Sequence, residues 1–276
     1  MGPNNSIGDD EINILLNDLL DLYGYDFTNY SRASLRRRIE NLFSKDKFPS
    51  FAEFRYRLRK DESYLLRFVE QITVNVTEMF RDPPFYKTLR TNVLPMLASR
   101  PVIRIWHAGC STGEEVFSMA ILLKEANLLH KSLLYATDIN PAVLERVRKG
   151  IFPLSAMKQY SENYNLTGGK EPLSKYYTAQ YEWAKFDETL GRRMIISTHN
   201  LVSDSSFNEF QLIVCRNVLI YFDKTLQNRV LELFDQSLEM LGFVAIGSKE
   251  TLRFSTIYPK YTQVENKEKI WRKMQL

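Results

Sequence analysis

Between a short apolar run, Val102–Trp106, and a helical stretch that opens at Glu114 lies the turn Gly109-Cys110-Ser111-Thr112-Gly113. A second apolar run, Leu133–Thr137, ends on Asp138, 25 residues beyond Gly113. Strand, glycine turn, helix, strand and acid together can seat an adenosine. The turn admits a ligand close to the backbone, and the carboxylate accepts both ribose hydroxyls. The turn has only two glycines, and Glu114-Glu115 at the helix start would repel a pyrophosphate. The pattern therefore disfavours a dinucleotide and suits a cationic adenosine such as S-adenosylmethionine (SAM). Taken alone it also fits an ordinary βαβ turn that holds nothing.

Other chemistry is sparse. Cys110 and Cys215 stand 105 residues apart with no CxxC, and three scattered histidines make no metal cluster. There is no Ser/His/Asp or Cys/His constellation. The longest apolar runs fall far short of the ~20 residues that span a bilayer, and the start, MGPNNSIGDDEIN, has neither the basic nor the apolar part of a secretory leader. These features imply a cytoplasmic protein without membrane insertion. A formal charge of +4 is too small to imply nucleic acid, but its distribution is uneven. Residues 1–30 hold six acids and no base; residues 31–60 hold ten bases and three acids. Such a basic block is either a solvated helix face or a dock for an acidic partner.

The elements that position these residues divide in two. Ile12, Leu15, Leu16, Leu19, Leu22 and Tyr23 recur at helical spacing up to Gly24. Leu35, Ile39, Leu42 and Phe43 follow behind Ser31 as cap, then Phe51, Phe54 and Leu58 behind the capping box at Ser50, then Leu65, Phe68, Val69 and Ile72. Arg37 faces away from its stripe, with Arg36 and Arg38 flanking it. The pattern predicts an all-helical subdomain over 1–80. From Asp82-Pro83-Pro84 onward, strands alternate with helices: the two strands above, Phe210–Cys215, a helix from Asp223 to Leu241 stopped by Gly242, and Phe243–Gly247. That order predicts an α/β domain over 81–276 with a parallel, Rossmann-like sheet. Residues 152–200 break the alternation and predict an insertion of short antiparallel strands.

Four further strings occur in order: Asn75-Val-Thr77-Glu-Met-Phe80-Arg81, Ser111-Thr-Gly-Glu-Glu115, Ala136-Thr-Asp-Ile-Asn140 and Cys215-Arg-Asn-Val-Leu-Ile-Tyr-Phe222. With them the chain resembles, over nearly its whole length, the chemotaxis-receptor glutamate methyltransferases, the CheR family. The closing Gly247-Ser-Lys-Glu250 turn belongs to the same resemblance. It departs at Met79, where an aromatic is usual, at Val116-Phe117, where a proline is frequent, and most of all in the insertion, which in some members grips a receptor-tail peptide.

The resemblance implies a SAM-dependent enzyme that esterifies glutamates of a chemoreceptor and leaves S-adenosylhomocysteine (SAH). Asn75, Thr77 and Arg81 would meet the methionine end of SAM or frame the transfer site. Glu114, rather than Glu115, would lie against the cofactor, Asp138 would hold the ribose, Asn200-Leu201 the adenine, and Asn217-Val218 the methionyl part. Arg81 and Tyr221 would orient the reacting or the cofactor carboxylate. Arg32, Arg36, Arg37 and Arg38 would steer in the Glu-rich helical region of the receptor. A substrate glutamate, with a pKa near ~4.3, is ionised at neutral pH and needs no general base, in keeping with the missing triad. The resemblance implies no metal and a monomer. The competing class is a non-catalytic module that binds SAM or SAH and engages a partner.

Overall fold

The computed structural model describes residues 7–73 and 76–275. Four amphipathic helices come first: α1 (Asp9–Tyr23), α2 (Arg32–Lys45), α3 (Phe51–Lys60) and α4 (Glu62–Ile72). Gly24 ends α1 at φ 73°, and the Ser50 and Asp61 side chains accept the Glu53 and Tyr64 amides to start α3 and α4. Their apolar faces close on one core around Phe27, Ile39, Phe54 and Phe68. Leu22 and Tyr23 are more exposed, at 48% and 36%, so the stripe of α1 ends a turn earlier than its spacing implies.

The acids of α1 and the bases behind it meet within this bundle. Asp9 pairs with Arg36 and Arg32, and Asp18 takes a two-nitrogen grip from Arg55.

The rest is a layered α/β structure. A bent helical segment runs through α5 (Pro83–Thr88), a π-helical turn at Leu89–Val93 and α6 (Leu94–Leu97). There follow β1 (Ile103–Ala108), α7 (Glu114–Glu125), β2 (Ser132–Asp138), α8 (Pro141–Lys149), β3 (Ile151–Pro153), α9 (Met157–Leu166), β4 (Tyr177–Gln180), β5 (Trp183–Phe186), α10 (Glu188–Gly191), β6 (Met194–Thr198), β7 (Phe210–Cys215), α11 (Lys224–Ser237), β8 (Leu238–Ile246), β9 (Tyr261–Glu265) and β10 (Ile270–Lys273). The large sheet has the order β6-β2-β1-β7-β8-β10-β9; only the pairings of β10 are antiparallel. The chain leaves β1 towards β2 and β6, then returns to β7 on the other side of β1. That reversal opens a crevice beyond the carboxyl ends of β1 and β7, where ligands of such sheets bind.

Three expectations need correction. The helix expected to reach Leu241 ends at Ser237, and Leu238–Ile246 is a strand. Gly242 marks a bend within that strand rather than a helix stop. A Cβ there would stand 2.9 Å from both the Glu239 carbonyl and the Leu238 side chain, and Leu241 beside it has φ 67°. The insertion does form a three-stranded antiparallel sheet, β3-β5-β4, but Met194–Thr198 belongs to the large sheet, parallel to β2. As an edge strand with mostly exposed side chains, β6 lacks the apolar signature of its neighbours. The first strand runs on past the apolar run that ends at Trp106, through His107 to Ala108.

The helical bundle closes one wall of the crevice. Between α1 and α2, Tyr30 bridges antiparallel to Phe222, Ser31 N–H donates to the Tyr221 carbonyl at 2.7 Å, and Asp223 N–H donates to Asn29. Ser31 precedes α2 but makes no side-chain cap.

Candidate active site

The loops after β1, β2, β6 and β7 line one cleft. Its first element is the turn after β1. Gly109 (φ 78°) and Ser111 (φ 51°) are left-handed, and the Gly109 and Cys110 amides both donate to Thr137 O. A Cβ on Gly109 would come within 2.6 Å of Val218, so this residue must be glycine for the loop after β7 to lie against it.

Asp138, at the end of β2, is 8% exposed and accepts the Ser111 and Asn140 amides at 2.9 and 3.0 Å. Burial raises its pKa, and these two hydrogen bonds oppose the rise. The carboxylate borders the cleft together with Asn200 and Leu201 from the turn after β6, where Asn200 Oδ1 accepts the Val202 amide.

The helix start corrects the sequence reading. Glu115, not Glu114, lines the cleft. Glu114 is buried against Thr112, whose hydroxyl donates to it at 2.5 Å, and its burial raises its pKa. Successive helical residues diverge by ~100°, so one of the pair must turn away. Burial opposes the charge on Glu115, but the His107 hydrogen bond at 2.9 Å and Arg216 outweigh it and hold the carboxyl below its ordinary range. Arg216 is itself buried, bonded to Asp82 at 2.5 Å and stacked 4.1 Å from the Phe85 ring centre. Asp82, which precedes the prolines that open α5, has φ 57°, makes no side-chain cap and serves this ion network instead.

The loop after β7 supplies Asn217 (φ 61°), Val218 and Tyr221, all of which border the cleft. Burial raises the Tyr221 pKa; the charges of Arg38 and Arg81 pull it back. Arg38 places its guanidinium 5.7 Å from the Tyr221 ring centre, and Arg81 donates to the Val76 carbonyl at 3.2 Å. Thr77 borders the cleft too, while Asn75 lies outside the described residues.

The four arginines of α2 therefore separate. Arg32 and Arg36 are engaged with Asp9, Arg37 is exposed, and Arg38 turns into the cleft. Sequence reasoning missed Tyr30 and His199 as cleft residues, since neither belongs to a string that stands out. Arg216 could have been found, because it sits inside the Cys215–Phe222 string.

The cleft suits a SAM-sized ligand. A buried carboxylate at the second strand, a glycine turn closed against Val218 and a second carboxylate at a helix start match an adenosine that carries a cationic tail. The family comparison decides the matter. A model described as "CheR methyltransferase, SAM binding domain" matches residues 75–270, and one described as "CheR methyltransferase, all-alpha domain" matches residues 10–73. The chain belongs to the CheR methyltransferase family. This CheR-family protein is 43% identical to the Pseudomonas putida protein named "Putative methyltransferase Cher3", over 96% of this chain and 97% of that one. It is 33% identical to the chemotaxis protein methyltransferase of Listeria monocytogenes, over 83% of this chain and 85% of that one. The protein of that name in Borreliella burgdorferi is 30% identical, over 91% of each. The protein is thus a SAM-dependent methyltransferase, as its motifs imply. Among the described residues no helix is long and apolar enough to cross a membrane.

Proposed function

We propose that this protein, acting in the cytoplasm, methylates glutamate side chains on the helical cytoplasmic region of a chemoreceptor, forming methyl esters. Relatives of this length named chemotaxis protein methyltransferase support the substrate class. The carboxylate acceptor rests on one observation: the Tyr221 phenol and the guanidinium groups of Arg38 and Arg81 all border the cleft, with Arg38 5.7 Å from the Tyr221 ring centre.

Bound SAM supplies a methyl group on a sulfonium centre. Asp138 would accept its ribose hydroxyls, Asn200 and Leu201 would border its adenine, and Thr77, Asn217 and Val218 would enclose its methionyl part. Glu115, fixed by His107 and Arg216, receives its ammonium group. Arg81 and Tyr221 hold and align the reacting carboxylate or that of the cofactor. An arginine bound too tightly to the nucleophilic oxygen would blunt it, so alignment rather than activation is its task. Opposite charges vanish as the ester forms. A cleft that excludes water around both groups therefore favours the transition state. No base is needed, because the acceptor is already a carboxylate.

Incubating the protein with methyl-labelled SAM and receptor-bearing membranes tests this reading. Label should enter the receptor and leave as methanol in mild base, the behaviour of an ester. Base-stable label would refute glutamate esterification, and SAH binding without any transfer would return the protein to a non-catalytic module.

A further inference from the structure

Glu250 follows β8 at the back of the site; it is 6% exposed and does not border the cleft. Its carboxylate accepts the backbone N–H groups of Asn217 and Ile220, each at 3.2 Å, and closes on the Gly247 N–H of its own turn. No cation is among its hydrogen-bond or ion-pair partners within the described residues; the partners are amides. The geometry is that of an anion nest whose anion belongs to the protein.

The amides it collects belong to the loop that presents Asn217, Val218 and Tyr221 to the cleft. Gly247 makes the approach possible, since a Cβ there would stand 2.8 Å from both the Asn217 amide and Glu250 Oε2. Asn217 has φ 61°, in the left-handed region, where a residue with a side chain gains from an outside constraint. Glu250 supplies that constraint from the rear, as Gly109 against Val218 does from the front. Burial raises the Glu250 pKa and the amide hydrogen bonds oppose the rise, in keeping with a carboxylate held by dipoles alone.

We propose that Glu250 is a positioning residue of the methyl-transfer site. Its buried carboxylate gathers the amides of residues 217–220, setting Asn217 and Val218 against the cofactor and Tyr221 against the acceptor carboxylate. The inference rests on the reading that this loop meets cofactor and substrate.

The full-length protein tests it through Glu250→Gln, which keeps the size of the side chain but turns an NH₂ towards donors. An orphaned buried amide costs enough to raise the SAH dissociation constant roughly tenfold, measured by calorimetry. Turnover should fall while the receptor KM, set elsewhere, stays put. Tyr221→Phe should cost less turnover in the Glu250→Gln background than in the wild type, because the loop is already misplaced. A merely structural role would make the two losses multiply. Gly247→Ala intrudes on the same contact from the other side, and is the second variant should the first not fold. It should weaken SAH binding likewise. Wild-type affinity in either folded variant, or simple multiplication, overturns the proposal. Wild-type protein that fails to bind SAH would instead defeat the cofactor reading on which it rests.

Discussion

Two loops sit side by side beyond the ends of β1 and β7, and each is fastened by a buried carboxylate from the neighbouring strand. Asp138, at the end of β2, takes the Ser111 and Asn140 amides; Glu250, after β8, takes those of Asn217 and Ile220. One carboxylate borders the cleft and the other lies behind it. The same device thus serves in one place as a fastening that also faces the cleft, and in the other as a fastening alone. A buried acid that accepts several backbone amides is not by itself a ligand site; whether it faces the cleft decides.

The largest effect is expected at the boundary between the loops and the acceptor. Arg81→Ala should leave the enzyme nearly inactive, and steady-state kinetics with varied SAM would show which partner the arginine serves. If Arg81 holds the cofactor carboxylate, SAM affinity drops and turnover partly recovers at saturation. If it aligns the acceptor, SAM binding survives while turnover falls. The first outcome is expected; near-normal binding and methylation together would contradict both.

Asp138→Ala comes next. Loss of charge-assisted hydrogen bonds should weaken SAM binding by about 1.5–3 kcal/mol, with calorimetry as the check. This carboxylate also has a pH signature. Burial puts its pKa above the ordinary 3.8, and only the charged form accepts two hydroxyls. Cofactor affinity should therefore fall on acidification, beginning at a higher pH than an ordinary aspartate would give, and the fall should be missing from Asp138→Ala. An unchanged affinity in a folded Asp138→Ala protein would break the contrast with Glu250.

Gly109→Ala should cost less: a strained left-handed residue, about 1–3 kcal/mol of stability, and several-fold in SAH affinity as the new methyl presses on Val218. Thermal melting with and without SAH separates the two contributions. The smallest effect should come from Arg37→Glu, which raises the receptor KM and flattens its salt dependence without changing SAM affinity. Receptor kinetics that match the wild type across a salt titration would make Arg37 a solvated side chain and nothing more.

The first loop was legible in the sequence because its glycines, its acids and Asp138 lie within thirty residues and follow a strand-turn-helix rule. The four helical stripes were legible for the same local reason. The second loop was readable only as a string: nothing in Cys215–Phe222 says that Glu250, 33 residues beyond Asn217 and 30 beyond Ile220, holds it. The choice between Glu114 and Glu115 depends on the rotation of one helix, which periodicity fixes only once the buried face is known. The basic block read as either a solvated face or a dock; Asp9 and Asp18 pair with Arg32, Arg36 and Arg55 within the bundle, which leaves Arg37 outside and Arg38 in the cleft.

Tyr30 lies antiparallel to Phe222, packed against it edge-on with ring centres 4.9 Å apart, and the carbonyl of the cleft residue Tyr221 accepts the amide of Ser31. The consequence concerns modularity. Two family models divide the chain near residue 74, yet cutting there would strip an aromatic partner and two backbone hydrogen bonds from the active-site loop. Exchange of one part for a relative's should therefore disturb the cleft unless the contacts of residues 29–31 with residues 221–223 are kept.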